Sequence, residues 1–153
     1  MIEIYETKPE GFMPQVEVSG CYLEIADKLL LLKRSKNSIE EGKWGVPAGK
    51  IEKDEPREAA AKRELFEETN IAIHSNSQIQ YVLSLYIRKP HVDYIFHLFK
   101  VHMDLLPTVC LSHENEEYRW ATAQEILEMP LMDGAEQALA IYHAKTKCKT
   151  LGS

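Results

Sequence analysis

The stretch GKIEKDEPREAAAKRELFEETNI, residues 49–71, joins a glycine-containing loop to a segment rich in alanine and glutamate. Residues 57–69 are strong helix formers without an internal glycine or proline. Asp54 is predicted to be the N-cap, and Pro56 is predicted to lie in the first turn, where its missing N–H group does no harm. The stretch therefore predicts a loop followed by one helix.

Three glutamates share one face of this helix. At about 100° per residue, Glu67 and Glu68 lie about 60° and about 40° to either side of Glu64. Ala60 and Ala61 flank the glutamates and are expected to leave their face open. Clustered carboxylates repel one another, and carboxylate oxygens are ligands that Mg²⁺ and Mn²⁺ prefer. Helix geometry alone leaves two interpretations, a solvated acidic surface and a metal site, and favours the surface. The residues expected to pack against a sheet are Ala59, Leu65 and Phe66.

Strands are predicted on both sides of this helix, with helices at the end of the chain. The order of elements predicts a mixed sheet with helices packed on it. The predicted elements are a hairpin of strands at 16–26 and 27–35, a loop at 37–46, a second pair of strands at 81–88 and 93–103, a short helix at 123–128 and an amphipathic helix at 133–147.

The spacing of residues across the loop and the helix is more specific than the helix alone. Gly49, Glu55 and the run from Arg63 to Ile71 resemble the signature of the Nudix hydrolases, with eight of its nine defined positions matched. The ninth is glycine in the family and Asn70 here, and asparagine is the next choice after glycine for the left-handed conformation that ends a helix. The resemblance implies an α/β Nudix fold, an α/β/α sandwich with a mixed central sheet, as a single domain over residues 1–153.

The resemblance also implies roles for individual residues. Nudix hydrolases use a divalent metal, here Mg²⁺ or Mn²⁺, and water to cleave a nucleoside diphosphate linked to another group. Glu67 and Glu68 stand at the metal-ligand positions, Glu64 at the position that binds metal or acts as a base, and Arg63 at the position that orients these carboxylates. Further candidates around the metal are the Ala48 carbonyl, Gly49 and Glu52, whereas Glu55 is more often structural.

A second acidic cluster, SHENEEYRW at residues 112–120, is predicted to be a loop before a strand. Many Nudix enzymes place a further glutamate in this region as a metal ligand or general base. Glu114 is the first candidate, Glu117 the second and Glu116 the third, and a solvated loop is the alternative for each. Some family members carry histidine where Asn115 stands. Because asparagine cannot shuttle a proton, a histidine-dependent variant of the chemistry is not expected.

Three residues near the loop are candidates for binding substrate. Lys33 and Arg34 end a predicted strand, where cations can hold phosphate oxygens, and surface charge is the alternative. Trp44 either packs beneath the loop or stacks on a base. Tyr86 lies at about the distance downstream where dinucleoside polyphosphate enzymes carry a tyrosine, which is a weak indication.

Composition restricts the class of protein. The formal net charge of −6 over 153 residues argues against a general nucleic-acid binder. Cys21, Cys110 and Cys148 form no CxxC pair and are expected to be reduced thiols. No signal peptide and no apolar run near the ~20 residues needed to span a bilayer are found. A cytoplasmic protein without membrane contact, monomeric or homodimeric, is therefore expected.

The leading functional hypothesis is a MutT-like (d)NTP pyrophosphohydrolase that releases a nucleoside monophosphate and pyrophosphate. The alternatives within the family are hydrolases of nucleotide sugars, ADP-ribose or dinucleoside polyphosphates. A more distant alternative is a nucleotide sensor that has lost catalysis. Such sensors usually lose carboxylates of the signature, and all of them are present here.

Overall fold

The computed structural model describes residues 1–151, with side chains through Lys147, and shows a mixed sheet with helices on both faces. This architecture confirms the predicted α/β class. Eight strands and three α-helices lie within the described residues. They are β1 (Glu3–Tyr5), β2 (Pro14–Ile25), β3 (Lys28–Arg34), β4 (Trp44–Gly45), β5 (Ala48–Lys50), α1 (Arg57–Thr69), β6 (Ile79–Lys89), β7 (Val92–His102), β8 (Asn115–Thr122), α2 (Ala123–Ile126) and α3 (Ala135–Leu151), with a 3₁₀ turn at Asn76–Gln78.

The sheet divides beyond its first hairpin. Strands β2 and β3 are paired only next to their turn, at Glu24 with Leu29 and at Ile25 with Lys28. Farther along, β2 pairs with β5 and, in parallel, with β7, whereas β3 pairs with β4 and β8. The order along the main path is β1-β6-β7-β2-β3-β4. The separation of β2 from β3 leaves room between them, and the candidate site lies there.

Strand β3 explains the run of four leucines at residues 29–32. Successive side chains of a strand point to opposite faces. Leu29 and Leu31 accordingly pack in the core beneath α2 and α3, and Leu30 and Leu32 pack in the core beneath α1. A strand buried on both faces reads as a continuous apolar run instead of an alternating one.

Helix α1 packs on the sheet with the same face that carries Glu68. Phe66 is 49% exposed and Ala59 is also exposed. The prediction that these two residues pack against the sheet was therefore wrong. The small side chains of Ala60 and Ala61 let the helix approach the sheet closely, and Cys21 Sγ lies 3.5 Å from the Ala61 carbonyl oxygen. The carboxylates are thereby carried inward. The buried residues of α1 are Ala60, Ala61, Leu65, Glu68 and Thr69.

The two ends of α1 differ in how well the sequence predicted them. The N-cap is Pro56, without a side-chain capping bond, so the prediction of Asp54 was wrong. Asp54 instead takes a left-handed conformation in the preceding loop, with φ of 62°. At the C-terminus Asn70 is left-handed, with φ 64° and ψ 17°, and its N–H donates to the Phe66 carbonyl at 2.8 Å. Asparagine therefore ends the helix as expected.

Several loops contain short strands that the sequence did not predict. Strands β4 and β5 lie within segments predicted as loops, and β8 already begins at Asn115. Glu116 and Glu117 are therefore strand residues, because pairing with β3 supplies hydrogen bonds that local sequence does not reveal.

Cys21 and Cys110 are free thiols, whereas the side chain of Cys148 lies outside the described residues. Within the described part of the chain, no helix has the length and apolarity to cross a membrane.

Candidate active site

Strand β5 and helix α1 make an unusually close contact at Gly49. A Cβ atom at this position would lie 2.0 Å from Glu64 Cδ and 2.2 Å from its Oε2. Gly49 is also held in the sheet by its pairing with Ser19 of β2. Glycine is therefore required here because the carboxylate of Glu64 lies directly against the strand backbone.

Arg63 is the centre of a hydrogen-bond network on the outer side of α1. Its guanidinium donates to both carboxylate oxygens of Glu55, at 2.8 Å from Nε and 3.0 Å from Nη2. Nη2 also donates to the Lys50 carbonyl at 2.9 Å, which joins the helix to β5. Nη1 donates to Glu64 Oε1 at 2.8 Å and Glu67 Oε2 at 3.2 Å. One side chain thus orients two signature carboxylates and braces the loop before the helix.

The charge on this outer side is compensated. Hydrogen bonds from Arg63 and from the Glu52 N–H lower the pKa of Glu55 to about 2, and the same carboxylates raise the pKa of Arg63. Bidentate arginine–carboxylate pairs are among the stronger charged contacts in proteins. Glu52 lies at the exposed edge of this network, 3.7 Å from Arg63 Nε. Glu52 is therefore close to the arginine, and no contact with Glu64, Glu67 or Glu68 is found for it among the described residues.

Glu68 lies on the opposite, inner side of α1 and is only 5% exposed. Its Oε2 accepts a hydrogen bond from the Ala48 N–H at 3.0 Å, and Asn115 Nδ2 makes a longer contact of 3.5 Å with Oε1. Burial raises the pKa of Glu68 to about 8, with further contributions from the charges of Glu64 and Glu114. Among the described residues no lysine or arginine forms an ion pair with Glu68, and a positively charged ligand would stabilise the ionised form of such a buried carboxylate.

Glu114 is the residue of the second acidic cluster that approaches this carboxylate pair. Its negative charge raises the pKa of both Glu64 and Glu68, although burial is the larger cause for each. Glu117 instead forms an ion pair with Lys33 across the strands, 3.6 Å from Nζ to Oε2. Glu116 is exposed on β8. The fold therefore brings Glu114 toward the helix carboxylates and engages Glu117 elsewhere.

Lys33 and Arg34 differ in their position relative to the site. Arg34 Nη1 lies 3.7 Å from Glu114 Oε2, and its side chain lines the cavity described below. Lys33 is paired with Glu117 and does not line that cavity. Of the two predicted phosphate-binding cations, the structure places Arg34 at the site.

Trp44 packs beneath the loop and is not positioned to stack on a base. It is 7% exposed and belongs to the core formed with α2 and α3. Its backbone N–H donates to the Pro130 carbonyl, and its carbonyl accepts from the Met132 N–H, both at 2.9 Å. The interpretation of Trp44 as a substrate-binding residue is therefore corrected, because the segment after α2 covers it.

A cavity of about 520 Å³ is lined mainly by residues of the core beneath α2 and α3, and Glu68 of α1 also lines it. Tyr94 and Phe96 of β7 line it, and sequence analysis did not name them. Their spacing of two along a strand was the available signal, since it places both on one face. Tyr86 does not line the cavity and packs edge-to-face on Phe12 at 5.5 Å, so the weak indication from this tyrosine is not supported. Polar lining residues include Arg34, Lys50, Glu68, Lys89, Asn115 and Asp133.

Comparison with known proteins agrees with this geometry. The family model of the NUDIX domain matches residues 13–143. The chain belongs to the Nudix family. It is 31% identical to the CTP pyrophosphohydrolase of Escherichia coli K12 over 119 residues, covering 78% of this chain and 84% of the relative. Phosphatase NudJ of the same strain is 30% identical over 118 residues, covering 76% and 74%.

Solved structures support the same assignment. The crystal structure of a MutT protein from Methanosarcina mazei Go1 superposes with a TM-score of 0.72 at 28% identity, covering 88% of this chain and 96% of that one. Together with the family match, these relatives show that the chain is a Nudix hydrolase.

The Nudix carboxylates have the donor chemistry for a divalent cation. Glu64, Glu67, Glu68 and Glu114 offer only oxygen ligands, as Mg²⁺ and Mn²⁺ prefer. Burial and, to a smaller extent, neighbouring carboxylates raise the pKa values of Glu64 and Glu68, so a bound cation would stabilise their ionised forms. Among the described residues, however, no three acidic, histidine or cysteine side chains converge into a ready-made metal site. Arg63 bonds one oxygen of Glu64 and one of Glu67, so the second oxygen of each carboxylate could contact a cation while the arginine keeps its bond.

Proposed function

We propose that this Nudix hydrolase cleaves the pyrophosphate bond of nucleoside triphosphates, releasing a nucleoside monophosphate and pyrophosphate. The observation that carries the proposal is the position of Glu68. This buried carboxylate, with a raised pKa, lies where the carboxylate face of α1 meets the apolar cavity. A nucleotide also has two such parts, an apolar aromatic base and a highly charged phosphate chain.

The cavity supplies contacts for both parts. Tyr94 and Phe96 offer aromatic surface to a base. Arg34 and Lys50 line the same cavity and are suited to bind phosphate oxygens. Its volume of about 520 Å³ is within the range usual for small-molecule sites. The base and the scissile phosphates are therefore proposed to bind side by side, with the phosphates toward α1.

The chemistry rests on the carboxylates of α1. A bound Mg²⁺ or Mn²⁺ ion would neutralise phosphate charge and lower the pKa of the attacking water. Glu67 and Glu68 are proposed to hold the ion, with the Ala48 carbonyl, Gly49 and Glu52 as weaker candidates. Glu64, held against Gly49, is proposed to bind metal or to accept the proton of the water. Arg63 keeps Glu64 oriented through its 2.8 Å bond.

Glu114 is proposed to assist as a further ligand or as the base. It is favoured over Glu117 because its charge reaches Glu64 and Glu68, whereas Glu117 is paired with Lys33. Similarity to the CTP pyrophosphohydrolase supports a triphosphate substrate. The free thiols of Cys21 and Cys110 are in keeping with a cytoplasmic location, and a monomer or homodimer is proposed.

The test is hydrolysis of a nucleotide panel, with and without Mg²⁺ or Mn²⁺. The panel contains the dNTPs and NTPs, oxidised dGTP, ADP-ribose, a nucleotide sugar and a dinucleoside polyphosphate. We expect metal-dependent release of pyrophosphate, with triphosphates turned over fastest. Preference for another member would replace the triphosphate assignment by that substrate class. The absence of turnover on every member would contradict hydrolysis and favour a nucleotide sensor.

A further inference from the structure

Ile39 is an apolar residue at the opening of the cavity that is exposed to solvent. It is 83% exposed and yet lines the cavity. Ile39 lies in the segment between β3 and β4, residues 35–43, which we call the mouth loop. Single exposed apolar residues are ordinary on protein surfaces. Ile39 differs from Met13 and Leu105, which are also exposed, because only Ile39 of the three faces the cavity.

The mouth loop is tied to both sides of the cavity opening. On one side, Arg34 Nε donates to the Ile39 carbonyl at 3.3 Å, and Arg34 also lies 3.7 Å from Glu114. On the other side, the backbone N–H of Asp133, just before α3, donates to Glu40 Oε1 at 2.7 Å. Ile39 is therefore flanked by two contacts that fix its backbone relative to the cavity.

Glu40 has an uncommon backbone conformation for its residue type. Its φ is 58°, in the left-handed region that residues other than glycine and asparagine avoid. The conformation accompanies the bond that its side chain accepts from Asp133. The unfavourable backbone conformation therefore lies at Glu40, the residue that fixes the mouth loop to the segment before α3.

We propose that Ile39 is a substrate-contacting residue that covers the nucleoside bound in the cavity, and that Glu40 positions it. The proposal rests on the proposed nucleotide substrate and adds a determinant of binding. A ligand in the cavity would remove the Ile39 side chain from water and gain apolar contact. Because the Ile39 side chain is apolar and is not one of the carboxylates proposed for catalysis, it should contribute to substrate binding, and its loss should leave the chemical step unchanged.

The first experiment compares Ile39→Ala with Leu105→Ala, which removes a similarly exposed apolar side chain away from the cavity. Kinetics are measured with the nucleotide of the panel that the wild-type protein hydrolyses fastest. We expect Ile39→Ala to raise KM about tenfold, as for about two lost buried methylene groups, and to leave kcat within about twofold. Leu105→Ala should change neither constant. An unchanged KM in Ile39→Ala would overturn the proposal.

The second experiment tests the positioning role of Glu40. Glu40→Ala removes the acceptor of the Asp133 N–H, whereas Glu40→Gln retains an oxygen acceptor. We expect Glu40→Ala to raise KM severalfold with kcat retained, and Glu40→Gln to restore the wild-type KM. Equal effects of the two variants, or a loss confined to kcat, would contradict positioning through this bond. If the wild-type protein hydrolyses no nucleotide, the proposed function and this inference both fail; if it is active and both alanine variants keep its KM, only the inference fails.

Discussion

Glu55 and Glu68 are both glutamates of the Nudix signature, yet their environments are opposite. Glu55 lies just before α1, accepts two hydrogen bonds from Arg63 and has its pKa lowered to about 2. Glu68 lies near the end of α1, is buried beside other carboxylates and has its pKa raised to about 8. Arg63 is engaged on the outer side, and no arginine or lysine of the described residues forms an ion pair with Glu68 on the inner side.

This difference separates the structural and functional uses of the same residue type. On the outer side, charge pairing holds the loop against the helix. On the inner side, burial beside other carboxylates makes ionisation of Glu68 costly in the metal-free protein, and groups with strongly shifted pKa values are common at functional sites. Neutralising one carboxylate on each side should therefore reduce activity to very different extents.

The largest expected effect is on catalysis by Glu68→Gln. The substitution keeps the shape of the side chain and removes the charge proposed to hold the cation. We expect kcat/KM to fall by a factor of about 10² or more, as for the loss of a group that stabilises charge in the transition state, and we expect the same for Glu67→Gln. Steady-state kinetics with saturating Mg²⁺ measure this, with circular dichroism to confirm folding.

Glu55→Gln is the matched control for Glu68→Gln because the chemical change is identical on the compensated side. It should weaken the network around Arg63 and reduce activity by less than about tenfold. If Glu68→Gln retained wild-type activity, the assignment of Glu68 to the metal site would be wrong. If both variants lost activity equally, the assignment of Glu55 to a structural role and of Glu68 to catalysis would be contradicted.

The next effect in size is that of Arg63→Lys. Lysine keeps the charge but cannot bond both oxygens of Glu55 and the Lys50 carbonyl at once. We expect the free energy of unfolding to fall by about 2 kcal/mol, and kcat/KM to fall about tenfold as Glu64 and Glu67 lose their orientation. Urea unfolding and kinetics measure the two losses. Unchanged stability would show that the Arg63 network contributes little to folding. Unchanged activity would show that it does not orient the carboxylates.

A smaller effect is expected on the pH dependence of stability. The pKa of Glu68 is about 8 in the folded protein, against the ordinary value of 4.5 expected in the unfolded chain. The folded state therefore binds its proton more tightly, so the stabilisation is complete below about pH 4.5 and is lost as pH rises to about 8. Without metal, Glu68→Gln should remove this loss and raise Tm relative to wild type by about 10 °C more at pH 8 than at pH 5.

Thermal unfolding in the presence of a chelator checks this expectation, and added Mg²⁺ sharpens it. A bound cation should stabilise the wild-type protein at pH 8 by mass action, and Glu68→Gln should respond less. A Tm difference between the two proteins that stays constant from pH 5 to pH 8 would mean that Glu68 is not protonated more readily in the folded state.

Much of this arrangement could be predicted from local sequence. The strands of β2, β3, β6 and β7, the helix α1 and its end at Asn70 follow from periodicity and residue type. The exposed position of Phe66 could not be predicted, because the face that packs is chosen by the fit of Ala60 and Ala61 to the sheet. The burial of Glu68 follows from that choice, and helix geometry alone indicates a solvated surface.

The remaining features depend on contacts between distant segments. Glu114 approaches Glu68 because β8 pairs with β3, which begins more than 80 residues earlier in the chain. The burial of Trp44 depends on hydrogen bonds to the segment after α2. Neither contact has a local signature. The sequence could rank Glu114 above Glu117 but could not give the physical reason, and it could not decide between the two roles of Trp44.

The smallest predicted effect concerns Asn70, which ends α1 two residues after Glu68 and has no proposed role in catalysis. Its left-handed conformation costs asparagine more than glycine. Asn70→Gly should therefore raise the free energy of unfolding by about 0.5 kcal/mol, or Tm by about 1–2 °C, and leave kcat/KM within twofold. Asn70→Ala, which disfavours this conformation, should lower Tm. If Asn70→Gly altered kcat/KM as strongly as a carboxylate substitution, the residue would have a role at the site beyond ending the helix.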